Sequence, residues 1–262
     1  MLRPAALLVP AVCAALAFPA VAAAQIRVGA LEHALRAGGF YTGSSSASAS
    51  AVSSVPRQVP LGSRALRRGA RGWDVAELQL ALAWQGFPSG RIDGRFGPRL
   101  RSALIRFQRA ASVAADGVAG AATFASLRKA PPSSPIPLVW PLLAGLGDGF
   151  GPRGQRFHAG LDLLATAGTA VIAAAPGRVT WAARRDGWGK LVTVVHGHNV
   201  RTMYAHLSSI DVKVGDWVAG GAILGHVGAT GDATGPHLHL EVRVGGAAID
   251  PLRALVPLPD GV

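Results

Sequence analysis

The sequence predicts a multidomain chain, a small all-α unit of three helices followed by a mainly antiparallel all-β domain. Three observations predict it. Apolar residues recur at helical spacing within residues 62–129, short β-rich runs bounded by Gly, Asp or Pro fill residues 138–258, and a Pro/Ser linker at 130–137 divides the two. The length of 262 residues leaves room for two small cores. Charged residues make up 15% and hydrophobic ones 50%, which excludes a disordered polyelectrolyte.

At the N-terminus, Met1-Leu-Arg3 supplies one positive charge before an apolar stretch from Ala5 to Ala24. Pro10 and Pro19 interrupt the stretch, and it closes on Ala22-Ala23-Ala24 ahead of Gln25. The pattern predicts a signal peptide over residues 1–24 with an Ala-x-Ala cleavage site, and hence a secreted or cell-envelope protein. A retained membrane anchor is the other reading, but two prolines and a short apolar core suit removal better. Past residue 24 no apolar run of about 18 residues exists to span a bilayer, so no integral membrane segment is expected after cleavage. The single cysteine, Cys13, falls in the removed segment. Disulfides and thiolate metal sites are thereby excluded, and any metal must be held by His and carboxylates.

Residues 25–61 contain a Ser/Ala/Gly-rich linker from 43 to 55. Ahead of it, Leu31–Gly43 lines up with Leu78–Gly90 at Leu, Ala, Leu, Gly, Phe and Gly, which reads either as a partial repeat or as the chance likeness of two Ala/Leu-rich helices.

In residues 62–129 the apolar positions Val75, Leu78 and Leu82 mark a first helix, Leu100, Leu104 and Phe107 a second, and Phe124 and Leu127 a third. Asp74 and Glu77 predict a capping box at the first helix start, Gly86 its end, and Pro98 the first turn of the second. Residues 64–129 hold twelve Lys or Arg against four acids, a net +8, whereas 138–258 nets only +2 of the chain's +12. Such a basic excess attracts an anionic polymer. Nucleic acid fits the charge but not the secretion signal, and no nucleic-acid motif is present. The combination of Gly69-Ala-Arg-Gly-Trp-Asp-Val-Ala-Glu-Leu-Gln79, Asp93-Gly-Arg-Phe-Gly97, Phe107-Gln108, Asp116-Gly117-Val118 and Thr123 resembles the three-helix peptidoglycan-binding domain found appended to wall hydrolases. That resemblance implies peptidoglycan as the partner.

The β-rich runs are Ala170–Ala173, Gly177–Ala182, Leu191–Val195, Val200–Ala205, Ala222–Gly225 and Leu238–Val244. Gly215-Asp216, Gly220-Gly221 and Gly245-Gly246 predict hairpin connections between them. The histidines include two close pairings, His158-Ala-Gly-Leu-Asp162 and His237-Leu-His239. Residues two apart on a strand face the same side at roughly 6–7 Å, so one imidazole of the second pairing can bind a metal while the other faces what binds beside it. A straight strand would hold His158 and Asp162 about 13 Å apart, too far for one ion, unless Gly160 bends or bulges the backbone. Two His and one Asp leave one tetrahedral position open, the arrangement of a catalytic rather than a structural site. Zinc suits imidazole and carboxylate ligands, and cobalt or nickel binds similar sets.

Phe157-His-Ala-Gly-Leu-Asp-Leu163, Met203-Tyr-Ala-His-Leu-Ser208, Gly225-His-Val-Gly-Ala-Thr-Gly-Asp-Ala-Thr-Gly-Pro-His-Leu-His-Leu-Glu-Val242 and Ile249-Asp-Pro251 resemble the lysostaphin-type (LytM-type) zinc metallopeptidases, over nearly the whole of 138–258. The resemblance implies that His158, Asp162 and His239 ligate one Zn2+. It also implies that His206 and His237 form a metal-free catalytic pair, activating water or stabilising a developing oxyanion. Leu240 stands where the family often has an aromatic residue. His33, His196, His198 and His226 read as structural, and Trp188 and Tyr204 read either as substrate contacts or, the commoner role of aromatics near a β domain's surface, as packing residues. The implied function is a secreted zinc endopeptidase that cuts cross-links or stem peptides of peptidoglycan, tethered by the helical unit. The alternatives are a catalytically silent wall-binding regulator of other peptidoglycan hydrolases, against which the complete five-residue set stands, and a wall anchor whose β domain is structural.

Overall fold

The computed structural model describes residues 59–257, so the signal peptide, the partial repeat and most of the linker expected before residue 59 lie outside the described residues. Three helices come first, α1 (Trp73–Trp84), α2 (Pro98–Ala110) and α3 (Ala121–Leu127). Val75, Leu78 and Leu82 of α1 meet Leu100, Leu104 and Phe107 of α2 and Phe124 of α3, around Leu66, Phe87 and Phe96. Each such side chain contributes about 1.5–3 kcal/mol on leaving water. Two glutamines fasten the loops between helices by one device used twice. Gln79 donates to Asp93 Oδ1 at 2.9 Å and accepts from Gly94 N–H at 2.9 Å. Gln108 donates to Asp116 Oδ1 at 3.0 Å and accepts from Gly117 N–H at 2.9 Å.

The capping box expected at α1 does not form. Gly72 occupies the N-cap and has no side chain to cap the helix, and of the N–H groups at the helix start Asp74 Oδ1 accepts only from the adjacent Val75 at 3.0 Å. Both carboxylates also reach the preceding segment: Asp74 pairs with Arg64 at 2.7 Å and Glu77 accepts from Leu61 N–H at 2.6 Å, while within the helix Glu77 accepts from Trp73 Nε1–H at 2.9 Å. Gly86, at φ +83°, follows the last turn of α1 as expected, and Pro98 opens α2.

The remainder is β: β1 (Gly145–Leu146), β2 (Gly151–Arg153), β3 (Arg156–His158), β4 (Leu161–Leu164), β5 (Ala170–Ile172), β6 (Gly177–Arg185), β7 (Gly189–Val195), β8 (Val200–Leu207), β9 (Ser209–Ile210), β10 (Trp217–Val218), β11 (Ile223–His226), β12 (Leu238–Val244) and β13 (Ala247–Ile249). The main antiparallel sheet runs β1-β4-β12-β8-β7-β6-β10, with β13 on β12. A small sheet, β5-β11-β9, and the β2–β3 ribbon complete the fold. Of the three glycine signals only Gly245-Gly246 joins a hairpin, β12–β13. Gly215 and Gly221 carry the chain between sheets, because β10 pairs with β6 while β11 pairs with β5 and β9. Those partners are distant in sequence, so local turn chemistry did not reveal them. One face of the main sheet packs Leu161, Leu163, Val192, Val194, Tyr204, Leu238, Leu240 and Val242 into a single core. No helix among the described residues is long and apolar enough to cross a membrane.

Candidate functional site

Alternation along β12 sends Leu238, Leu240 and Val242 into the core and leaves His239, Glu241 and Arg243 on the opposite face. Leu240 thus fills core volume away from the site. On β4, Leu161 and Leu163 point inward, and Asp162 lies directly across from His239 in the ladder. The chain between His158 and Asp162 breaks at Ala159-Gly160, which separates β3 from β4. A Cβ at Gly160 would lie 2.4 Å from Leu240 O and 2.9 Å from His239 Nε2, so glycine there lets the chain cross tight over β12. His206 reaches the same face through a bulge. The register of β7 and β8 shifts between Lys190 and Val192, and His206 takes φ +63°. Tyr204 and Leu207, three residues apart, therefore both face the core, and the extra residue turns outward.

Donor atoms of His158, Asp162 and His239 converge. His158 Nε2 lies 2.9 Å from His239 Nδ1 and 3.1 Å from Asp162 Oδ1, and His239 Nδ1 lies 2.8 Å from Asp162 Oδ1. They form the group of His and acidic side chains among the described residues that could hold a metal ion. A tetrahedral zinc with bonds of about 2.0–2.2 Å needs ligand atoms about 3.3 Å apart, a small expansion of this triangle. The tautomers suit it as well. His158 Nδ1–H donates to Gly149 O at 2.8 Å, which leaves Nε2 with its lone pair toward the triangle. His239 Nε2 lies 3.6 Å from Glu241 Oε1, and Glu241 is itself buried and held by Arg243 at 2.7 Å. Burial alone would raise the Asp162 carboxyl, but hydrogen bonds with His158 and His239 hold it far below the usual carboxylate range. Burial alone would lower His239, yet Asp162 and Glu241 outweigh it and hold its imidazole up at about 9.

His206 and His237 flank the triangle, their rings 4.8 Å apart. His206 Nδ1–H donates to Thr230 O at 2.8 Å and His237 Nδ1–H to Gly235 O at 2.9 Å, so each keeps a lone pair on Nε2. His237 Nε2 lies 3.8 Å from Asp162 Oδ1. Burial, with His237 and His239 nearby, lowers the His206 pKa despite the bond to Thr230, which favours the neutral ring.

All five histidine and aspartate positions singled out from the sequence line one cleft of about 630 Å3. Two residues that sequence reasoning passed over, Glu241 and Arg153, belong with them. Glu241 continues the period-2 row from His237 and His239 and was readable that way. Arg153 joins Asp162 Oδ2 at 2.8 Å and Asp148 at 2.7 Å. Trp188 fits both of its readings: it packs against Leu191, Met203 and Ala205, and it stands edge-on to His239 at 5.3 Å and lines the cleft. Tyr204 does pack in the core, where burial pushes its phenol up to about 12. His196 is buried, donating from Nδ1 to Pro176 O and bonded through Nε2 to Thr202. His226 contacts Ser209 and Asp211, both through Nδ1. His198 sits at φ +58° between β7 and β8, and His33 lies outside the described residues.

Comparison with known proteins yields two family matches, "Peptidase family M23" over residues 156–251 and "Putative peptidoglycan binding domain" over residues 71–127. The DD-carboxypeptidase/endopeptidase Mpg of Neisseria meningitidis is 43% identical over 105 residues, covering 40% of this chain and 24% of Mpg. The peptidoglycan DD-endopeptidase ShyA of Vibrio cholerae is 37% identical over 105 residues, covering 40% of this chain and 24% of ShyA. The catalytic domain of lysostaphin from Staphylococcus simulans is 34% identical, covers 42% of this chain and 90% of that one, and superposes with a TM-score of 0.40. The chain spans about a quarter of the length of the curated relatives Mpg and ShyA.

Proposed function

Because the chain belongs to peptidase family M23 through residues 156–251 and carries a peptidoglycan-binding-type domain over 71–127, we propose that it is a secreted zinc-dependent endopeptidase hydrolysing peptide bonds of bacterial peptidoglycan, in a cross-bridge or a stem peptide. The observation that carries this reading is the convergence of three donor atoms, all within 4.8 Å, beside two histidines anchored through Nδ1 so that each presents its Nε2. The names of Mpg and ShyA, both endopeptidases, point the same way.

In this reading His158, Asp162 and His239 hold one zinc ion. Zinc in such a setting polarises a carbonyl and lowers the pKa of water. Glu241 orients His239 and Arg153 orients Asp162, each from outside the ligand set. His206, whose neutral form burial favours, takes a proton at Nε2 from the attacking water and later delivers it to the leaving amine. His237, anchored through Nδ1–H at Gly235 O, presents the second Nε2, which accepts a hydrogen bond from the attacking water and orients it. The helical unit holds the enzyme at its insoluble substrate and raises its effective concentration there.

The test combines metal content with release of soluble fragments from purified peptidoglycan, using the wild type, His237→Ala and chelator-treated protein. About one zinc per chain and a digestion that needs both metal and His237 support the reading, and mass spectrometry of the fragments names the bond. Zinc-loaded protein that sediments with walls from several sources yet leaves them intact overturns catalysis in favour of a wall-binding regulator.

A further inference from the structure

We propose that the helical unit is a working part of the metal centre: it clamps the β2–β3 ribbon and thereby sets the positions of His158 and Asp162. The inference rests on the reading that these residues hold a metal, and it assigns Trp84 and Arg91 as positioning residues.

The ribbon lies outside the main sheet and pairs only with itself. Two strands alone are marginally stable in water, so its placement must come from what it touches. It ends in His158, and it carries Arg153, which bonds the oxygen of Asp162 not facing the other donors. Two of the three presumed ligands thus depend on it. The helical unit grips it at both ends. At its tip, Ile92 N–H donates to Gln155 O at 2.8 Å, and the Arg91 guanidinium donates to Gln155 Oε1. At its base, Trp84 stands edge-on to Phe157 at 5.2 Å and to Phe150 at 6.1 Å, and those two rings meet at 4.9 Å. Phe157 also packs against Ala76, Leu80 and Ile92.

Phe157 and Phe150 are the immediate neighbours of the groups that fix His158. Phe157 precedes it in the chain, and Phe150 follows Gly149, whose carbonyl holds His158 Nδ1–H. A second contact fixes how the helices sit on the sheet: Ala248 N–H donates to Gly86 O at 3.0 Å, and a Cβ at Gly86 would lie 2.3 Å from Ala248 O. Ala247 is buried in the helical core itself. The clamp is therefore seated on β13 as well as on the ribbon, and motion of the helical unit bears directly on the ligands.

The test uses the full chain as wild type, Trp84→Ala, Trp84→Phe and Arg91→Ala. Metal-free protein is titrated with Co2+ in competition with a chromogenic chelator, and the visible spectrum of the bound cobalt reports ligand geometry. Thermal melting and sedimentation with insoluble peptidoglycan serve as controls. Loss of a group that orients metal ligands typically weakens binding about 10–100-fold, so Trp84→Ala is expected to weaken cobalt binding about tenfold and shift its bands, with Trp84→Phe restoring both. Arg91→Ala, whose side chain is exposed, gives a smaller loss in the same direction and decides the matter if Trp84→Ala does not fold. Wild-type spectra and affinities within twofold in these variants overturn the clamp alone. A wild type that takes up no metal overturns the metal reading, and the clamp with it.

Discussion

Replacing Gly160 by alanine adds one methyl group at the tightest crossing in the site. The new Cβ would meet Leu240 O at 2.4 Å, His239 Cε1 at 2.8 Å and His239 Nε2 at 2.9 Å, all below the separations that real Cβ atoms show. Leu240 cannot retreat, because its backbone pairs with Leu161 on one side and Tyr204 on the other. The His239 ring must give way, or β4 must lift from β12. Overpacking of this kind costs about 1–3 kcal/mol. For a β unit of this size that lowers the melting temperature by about 4–12 °C. Displacement of His239 also weakens metal binding, by about tenfold or more. A tenfold weaker Kd removes about 1.4 kcal/mol of the stabilisation that saturating metal confers. Both effects are read from melting curves recorded with chelator and with excess zinc. The chelated variant should melt several degrees low, and its gain on adding zinc should be smaller than the wild type's. A Gly160→Ala protein that melts with the wild type in both conditions refutes the steric argument, and with it the account of how His158 and Asp162 come together.

Three other outcomes are expected. His206→Ala should slow fragment release by about 10²–10⁴-fold and leave zinc affinity within twofold, since His206 lies outside the donor triangle; loss of zinc along with activity would move it into the ligand set. Glu241→Gln removes the charge beside His239 and leaves Arg243 without its partner, so zinc affinity measured by chelator competition should fall about tenfold, and an unchanged affinity would contradict the orienting role. Burial holds His196 below its ordinary 6.5 despite the bond to Pro176, so the folded state binds fewer protons there than the unfolded chain. Its stabilising contribution is full above that value and is lost as pH falls through the folded pKa. Urea denaturation at pH 7.5 and 5.5 should show a drop in the wild type that is smaller in His196→Gln, and equal drops would place the acid sensitivity elsewhere.

The three helices and six of the thirteen described strands, the four longest among them, were legible because their signal is local: a spacing of three or four, or a run of β-branched residues, survives any packing. What failed depended on partners distant in sequence. Asp74 and Glu77 have the spacing of a capping box, but Arg64 and Leu61 claim them. Gly215 and Gly220-Gly221 look like hairpin turns, but the strands they join belong to different sheets. In the site, a bend at Gly160 was the expectation if His158 and Asp162 were to share one ion, and the structure breaks the strand there. His206 was out of reach of periodicity. Alternation from Tyr204 would bury it, and only the bulge before Leu207 turns it outward, so resemblance alone drew attention to it. Arg153 gave no signal at all, since it approaches Asp162 from a ribbon whose placement the helical unit decides.

The left-handed backbone at His206 carries a consequence for anyone improving this protein. A side chain at φ +63° costs roughly 1–2 kcal/mol that glycine avoids, and asparagine tolerates the same geometry better than most residues. A library screened for heat resistance alone would favour Gly or Asn at position 206, and under the role proposed here each winner would be more durable and inert. Selection on this scaffold has to read wall digestion in every round, because at this one position robustness and turnover pull in opposite directions.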